Sequence, residues 1–330
     1  MFRVRWIWFF WIGVGWGNLM GCSSLPMALP LNWNPTATTL PSPAFPTMLP
    51  PTPTPIPTST PRPPTPTATP TVTPSATPTP WPWGAATIIG YSVEGRPLEV
   101  YRFGDGPVHR LIVAGIHGGY EANTVHLAQA LIRNLRLYPE VIPENVTLFI
   151  LPNLNPDGYN RHHGIYGRAN ARGVDLNRNF PVHWQPDWER RGCWNYLPIS
   201  AGTAPFSEPE TRALRDFLYR PDVHVDALIS YHSAALGIFP GVVFPQGEPH
   251  GPSVALAKEL ARVTGYRYPP LDYGCAFTGQ LVDWAATALN IAAVDVELTN
   301  HRDINFRPNW NALSLFLRWT YPRGTPAAAP

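Results

Sequence analysis

Between Pro26 and Pro82 the chain carries 20 of its 42 prolines, and from Cys22 to Gly84 its one charged residue is Arg62. A segment of this kind buries too little apolar surface to offset the entropy of an ordered chain, so it forms no core of its own. Folding is thereby confined to the 241 residues from Gly84 to Gly324, enough for one sizeable domain. The expected organisation is a leader over 1–22, a Pro/Thr-rich linker over 23–83, a catalytic domain over 84–324 and a disordered tail over 325–330.

The charges divide at the same place. All 22 acidic residues follow residue 83, whereas Arg3, Arg5 and Arg62 precede it, which leaves 21 basic against 22 acidic residues beyond the linker. A near-neutral domain without a basic block lacks the electrostatic footprint of a nucleic-acid partner.

Arg3 and Arg5 open the chain and are followed by an apolar run of fifteen residues from Trp6 to Met20. This run is shorter than the roughly 20 residues that span a bilayer, and it fits an export signal. It ends Leu19-Met20-Gly21-Cys22, which resembles a bacterial lipobox. The pattern implies that Cys22 becomes the first residue of the mature chain and takes a lipid on its thiol. A signal anchor left uncleaved is the alternative. Both place the domain outside the cytoplasm, lipid-anchored at a bacterial membrane or cell surface in the first case. Alternating prolines favour polyproline II at about 3.1 Å per residue, so the linker could reach on the order of 150–200 Å from such an anchor. Cys193 and Cys275 are then left, and in an oxidising compartment they are expected to pair as a disulfide.

Within the domain, short continuous apolar runs at Leu111–Ile116, Val146–Leu151, Ala227–Tyr231 and Ile291–Val296 read as strands buried on both faces. Helical periodicity occupies the intervals. Val125, Leu127, Ala128, Leu131, Ile132 and Leu135 share one helical face, and similar patterns run over 208–219, 253–263, 280–289 and 310–320. Ser207 and Glu210 have capping-box spacing ahead of the second helix. Strands alternating with helices predict an α/β domain, with a mixed, mostly parallel central sheet and helices on both faces. Sites in such sheets gather at strand ends.

Polar residues follow each apolar run. His117-Gly-Gly-Tyr-Glu121 follows the first; Asn153 to Asp157 and then Arg168 to Phe180 follow the second. His232-Ser233 follows the third, and Glu297 the fourth. Two imidazoles and a carboxylate on separate strand ends can form a His₂Glu zinc site with a fourth position open to water. Glu297 directly follows an apolar run, where an unpaired charge would be costly, so it is expected to have a partner or a task. His162, His163 and His301 read as loop residues beside these motifs.

Taken together, the segments HGGYEANT, GVDLNRNFP, SYHS and VELTNH resemble the zinc carboxypeptidase family of metallopeptidases, in that family's order and from about Gly90 to Trp319. The resemblance implies one zinc ion held by His117, Glu121 and His232, with Glu297 as general base and Arg168 polarising the scissile carbonyl. It also implies that Asn177 and Arg178 hold the terminal carboxylate of the substrate. The usual ligand spacing is His-x-x-Glu; here three residues separate His117 from Glu121, in a Gly-Gly turn that can absorb the extra one. Digestive members place a substrate-binding Tyr nine residues before the Trp of an Asp-Trp pair. In this chain that pair is Asp283-Trp284, the position is Cys275 and the nearest Tyr is Tyr273. The same register puts Val282 where side-chain preference is set, which implies an apolar pocket floor.

The expected activity is a metallopeptidase that removes C-terminal residues from peptides, acting as a monomer on a peptide or muropeptide with a free carboxylate. Cleavage of cell-wall γ-D-glutamyl-diaminopimelate linkages and deacylation of N-acyl amino acids are alternatives on related folds. A catalytically silent peptide-binding lipoprotein is a further alternative, against which stands the presence of every expected catalytic group.

Overall fold

The computed structural model describes residues 83–321, apart from 187, 189–193, 195 and 273. The leader with Cys22, the linker up to residue 82, Cys193, Tyr273 and the 325–330 tail thus lie outside the described residues. Among the described residues no helix is long and apolar enough to cross a membrane.

Among the described residues nine strands and six helices follow one another. The strands are β1 (Ala86–Tyr91), β2 (Pro97–Phe103), β3 (Val108–Val113), β4 (Val146–Leu151), β5 (Val225–Ser233), β6 (Ile238–Pro240), β7 (Val242–Val243), β8 (Glu248–Pro249) and β9 (Ala292–Leu298). The helices are α1 (Ala122–Leu137), α2 (Pro156–Arg161), α3 (Pro209–Leu218), α4 (Gly251–Thr264), α5 (Leu281–Leu289) and α6 (Phe306–Arg318). β7 and β8 form a small hairpin, and the other seven strands hydrogen-bond into one sheet in the order β1-β2-β4-β3-β5-β9-β6. The inner four, β4, β3, β5 and β9, run parallel, while β1, β2 and β6 add antiparallel margins. The sheet is therefore mixed and mostly parallel at its centre, as the four apolar runs predict.

Strand parity divides the core in two. Ile112, Leu148, Ile150, Ile229, Val294 and Val296 point to one face, under α1, α4 and α6. Leu111, Val113, Phe149, Leu151, Leu228 and Ala293 point to the other, under α3 and α5. Strands covered on both faces need unbroken apolar sequence, and all six residues of β4 are buried.

Two local readings are corrected. The first strand ends at Val113 rather than Ile116. Beyond it the chain turns at Gly115, whose N–H donates to Thr124 Oγ1 at 3.1 Å instead of extending the ladder. The Ser207–Glu210 capping box does not form, because α3 starts one residue later with Glu208 at its N-cap. Glu210 is drawn elsewhere: its carboxylate accepts from Val93 N at 3.1 Å and from Asn170 Nδ2 at 3.2 Å. Ser207 Oγ donates instead to Glu208 Oε1 at 2.7 Å.

Candidate metal centre

Parallel strands place residues of equal parity on one face of the sheet. In the β5–β9 register Ser230 lies beside Asp295 and His232 beside Glu297, and these four share the parity of Leu228 and Ala293, on the α3/α5 side. At the end of neighbouring β3 the chain enters a 3₁₀ turn, Gly118–Glu121, with His117 at its N-cap. This turn packs against the segment around α2. A Cβ on Gly118, at φ +48°, would lie 2.7 Å from Gly167 O, and one on Gly119 would lie 2.0 Å from His162 O. The two glycines let the turn seat, and with it the three-residue spacer still brings His117 Nδ1 to 2.7 Å from Glu121 Oε1.

His232 closes the group. Its Nδ1 is 3.1 Å from Glu121 Oε2 and 3.2 Å from His117 Nδ1. The three ligand atoms lie within 4.8 Å of one another and all three residues are buried. The far nitrogens are held as well: His117 Nε2 is 3.2 Å from Asp175 Oδ1, and His232 Nε2 is 3.0 Å from Ser230 Oγ. Two imidazole nitrogens, one carboxylate and oriented outer partners are the donor chemistry that zinc takes in catalytic sites. Burial opposes charge on Glu121, yet His117 and His232 hold its carboxyl far below the usual range, so it is an anionic donor.

Asp175, within the GVDLNRNFP run, is a junction. Besides His117 it accepts from Arg168 Nε at 2.9 Å and pairs with Arg168 Nη2 at 2.8 Å. Against the cost of its burial, Arg168 and His117 keep its pKa well below the ordinary carboxylate value. Arg168 is clamped from the other side by Trp194, its guanidinium carbon 4.6 Å from the ring centroid. Arg178 is flanked by Trp188 at 4.6 Å and Phe277 at 5.2 Å. Its Nη1 donates to Asn177 O at 2.7 Å, whereas its buried Nε has no hydrogen-bond partner among the described residues. Asn177 Oδ1 accepts from Leu281 N at 2.9 Å, and its Nδ2 lies 3.5 Å from His232 Nε2.

Glu297 is partly buried, and its Oε2 accepts from Ala235 N at 2.9 Å. Burial pushes its carboxyl up to about 7, with His232 opposing and Glu121 adding to the shift. His117, Glu121, Arg168, Asn177, Arg178, His232 and Glu297 line one cavity of about 500 Å³ together with Val282, Asp283, Asp295, Cys275 and His301. Val282 is thus in the pocket, but an apolar floor is only part of what the pocket presents, since Asp295 lines it too. Cys275 is disulfide-bonded. His301, on the loop after β9, reaches the cavity rim, with Nδ1 3.2 Å from Ser233 Oγ.

The family model described as Zinc carboxypeptidase (Peptidase_M14) matches residues 85–318. The chain belongs to this family. As a zinc carboxypeptidase-family metallopeptidase it uses one zinc ion, and among the described residues His117, Glu121 and His232 are the group with the donors for it. The chain is 33% identical over 195 residues to murein peptide amidase A of Escherichia coli K12, covering 57% of this chain and 69% of that protein. It is 27% identical over 163 residues to carboxypeptidase B of Astacus astacus, covering 44% of this chain and about half (52%) of that protein's length. Among solved structures, murein-tripeptide amidase from Escherichia coli O157 has a TM-score of 0.52 at 24% identity, covering 72% of this chain and 93% of that one. Bovine thrombin-activatable fibrinolysis inhibitor, in complex with tick carboxypeptidase inhibitor, has a TM-score of 0.58 at 23% identity, covering 71% and 88%. The likeness to these two structures is one of fold.

Proposed function

We propose that the chain is a metallocarboxypeptidase that hydrolyses the C-terminal peptide bond of peptide substrates. His117, Glu121 and His232 hold the zinc, which when bound supplies Lewis acidity and brings the pKa of a water molecule towards neutrality. Glu297 takes a proton from the attacking water and delivers it to the leaving amine. Burial raises the pKa of this carboxyl, which favours proton uptake, and the Ala235 N–H fixes one of its oxygens. Arg168, immobilised between Asp175 and Trp194, presents a fixed cation to the scissile carbonyl and stabilises charge that develops only in the transition state.

One observation carries the C-terminal specificity. Arg178, buried in the same cavity as the metal ligands and Glu297, keeps an Nε donor without a partner among the described residues. An unpaired buried donor is costly, and a guanidinium edge is matched by a carboxylate. With the Asn177 amide beside it, this is a seat for the terminal carboxylate of a substrate. The 33% identity to murein peptide amidase A supports a second reading, in which the substrate is a muropeptide stem.

The test is mass spectrometry of a peptide pool incubated with the zinc-loaded protein, with and without chelator. The pool contains free C-termini, amidated C-termini and muropeptide stems. Chelator-sensitive loss of single residues from free C-termini is the expected result. Cleavage confined to the stems establishes the second reading, and cleavage of amidated and free ends alike overturns the first. The tether belongs to the same proposal: Cys22 carries a lipid that holds the enzyme at an extracytoplasmic membrane surface. Cys22→Ser should release it from the membrane fraction.

A further inference from the structure

Two carboxylates line the cavity without a part in the reading above, and they differ in one respect. Asp283 is fully engaged: Oδ1 accepts from Val242 N at 2.8 Å and Oδ2 from Gln280 Nε2 at 2.9 Å. Asp295 is not. Its side chain is 7% exposed, it lines the cavity, and its Oδ1 has no hydrogen-bond partner among the described residues. It pairs with His232 Nε2 at 3.3 Å, and that nitrogen also has Ser230 Oγ at 3.0 Å. His232 is thus the ion-pair partner of Asp295 among the described residues, and a carboxylate so buried with one long contact is costly.

A substrate cation would give it a second partner. Arg178 brings a positive charge to the same cavity, and a terminal carboxylate seated there would neutralise it, leaving Asp295 for the side chain of the same residue. Phe239, Val242, Phe277 and Val282 provide apolar wall for an aliphatic stem. We infer that Asp295 is a specificity-determining residue that selects C-terminal residues whose side chain ends in a cation, an ammonium or a guanidinium. This rests on the carboxypeptidase reading and reverses the preference that Val282 alone implies. Lysine and arginine at a peptide end supply that chemistry, and so does the distal ammonium of diaminopimelate in a muropeptide.

Binding tests it without requiring turnover. Nα-acetyl-lysine and Nα-acetyl-norleucine share the carboxylate and nearly the same stem and differ in the terminal ammonium. Titration calorimetry on the zinc-loaded full chain should give at least about tenfold tighter binding of the lysine compound. Asp295→Asn should abolish that difference while zinc content stays unchanged, and Asp295→Ser, which crowds nothing, should do the same if the Asn variant folds poorly. Equal affinities in the wild-type chain overturn the inference. So does a variant that weakens both ligands equally or loses zinc, because Asp295 would then serve only to orient His232. Cleavage of peptides ending in Lys, Arg or Leu, and of a diaminopimelate stem, separates the two sources. If none is cleaved, the carboxypeptidase reading fails while the binding comparison still decides the charge preference of the pocket.

Discussion

Glu297 and Arg178 meet two different demands in one cavity, and each can be tested by removing one property. Glu297→Gln keeps the shape of the side chain and removes its capacity to take a proton. Zinc content should be retained, since Glu297 is not among the three ligands, while kcat should fall by a factor on the order of 10²–10⁴. Steady-state kinetics with parallel metal analysis checks this, and undiminished kcat would remove Glu297 from the mechanism. Arg178→Ala removes the carboxylate seat. It should weaken substrates with free C-termini by about 2 kcal/mol or more in kcat/KM and leave amidated ones at their low basal rate. An equal loss on both would assign Arg178 to packing between Trp188 and Phe277. At this scale the motif residues were legible in the sequence because their chemistry is scarce: few tasks require a His, an Arg or a Glu at the end of an apolar strand. Asp295 was harder to see. It has the parity of Glu297 two residues on, but an aspartate inside IAAVDVEL has no motif to flag it. Trp188 and Trp194 were invisible for a related reason, since a flanking ring is chosen by three-dimensional proximity to an arginine and leaves no fixed spacing.

Elements were readable where burial is two-sided. β4 is apolar at every position, whereas β1 alternates between exposed and half-buried residues and offers no such run, so the antiparallel β1–β2 margin escaped the reading. The capping box misled because Ser207 and Glu210 have the right spacing and better partners elsewhere; tertiary hydrogen bonds overrode a local signal. α5 makes a prediction of its own. Asp283, in its first turn, ties the helix to β7 through Val242 N, and burial pushes its carboxyl up to about 6. In an unfolded chain an aspartate titrates near 3.9. Between roughly pH 4 and pH 6 the folded state therefore keeps a proton that the unfolded state has released, and stability falls as pH rises through that window. The whole effect is on the order of 3 kcal/mol. Asp283→Asn should flatten this slope relative to wild type in urea unfolding at pH 4 and pH 7. Parallel slopes in the two proteins would show that Asp283 titrates alike folded and unfolded.

For the molecule as a whole, the metal centre adds a link between strands that already pair in the sheet. His117 and Glu121 follow β3, His232 lies in β5, and the buried ligand set brings two imidazoles and a carboxylate together within 4.8 Å. A metal that binds this arrangement and not the unfolded chain stabilises the fold by mass action, by about 4 kcal/mol when free zinc exceeds its dissociation constant a thousandfold. For a domain of this size that corresponds to a Tm increase on the order of 10 °C. Chelator-stripped protein should therefore melt about that much lower in scanning calorimetry, and added zinc should restore the difference in a concentration-dependent way. The dependence should disappear in His232→Ala, which keeps the sheet and removes one donor. It should persist in Glu297→Gln, whose side chain lines the cavity without belonging to the ligand set. A zinc-independent Tm in the wild-type chain would mean that zinc binds the folded chain no more tightly than the unfolded one, and would overturn the assignment of these three residues as its ligands.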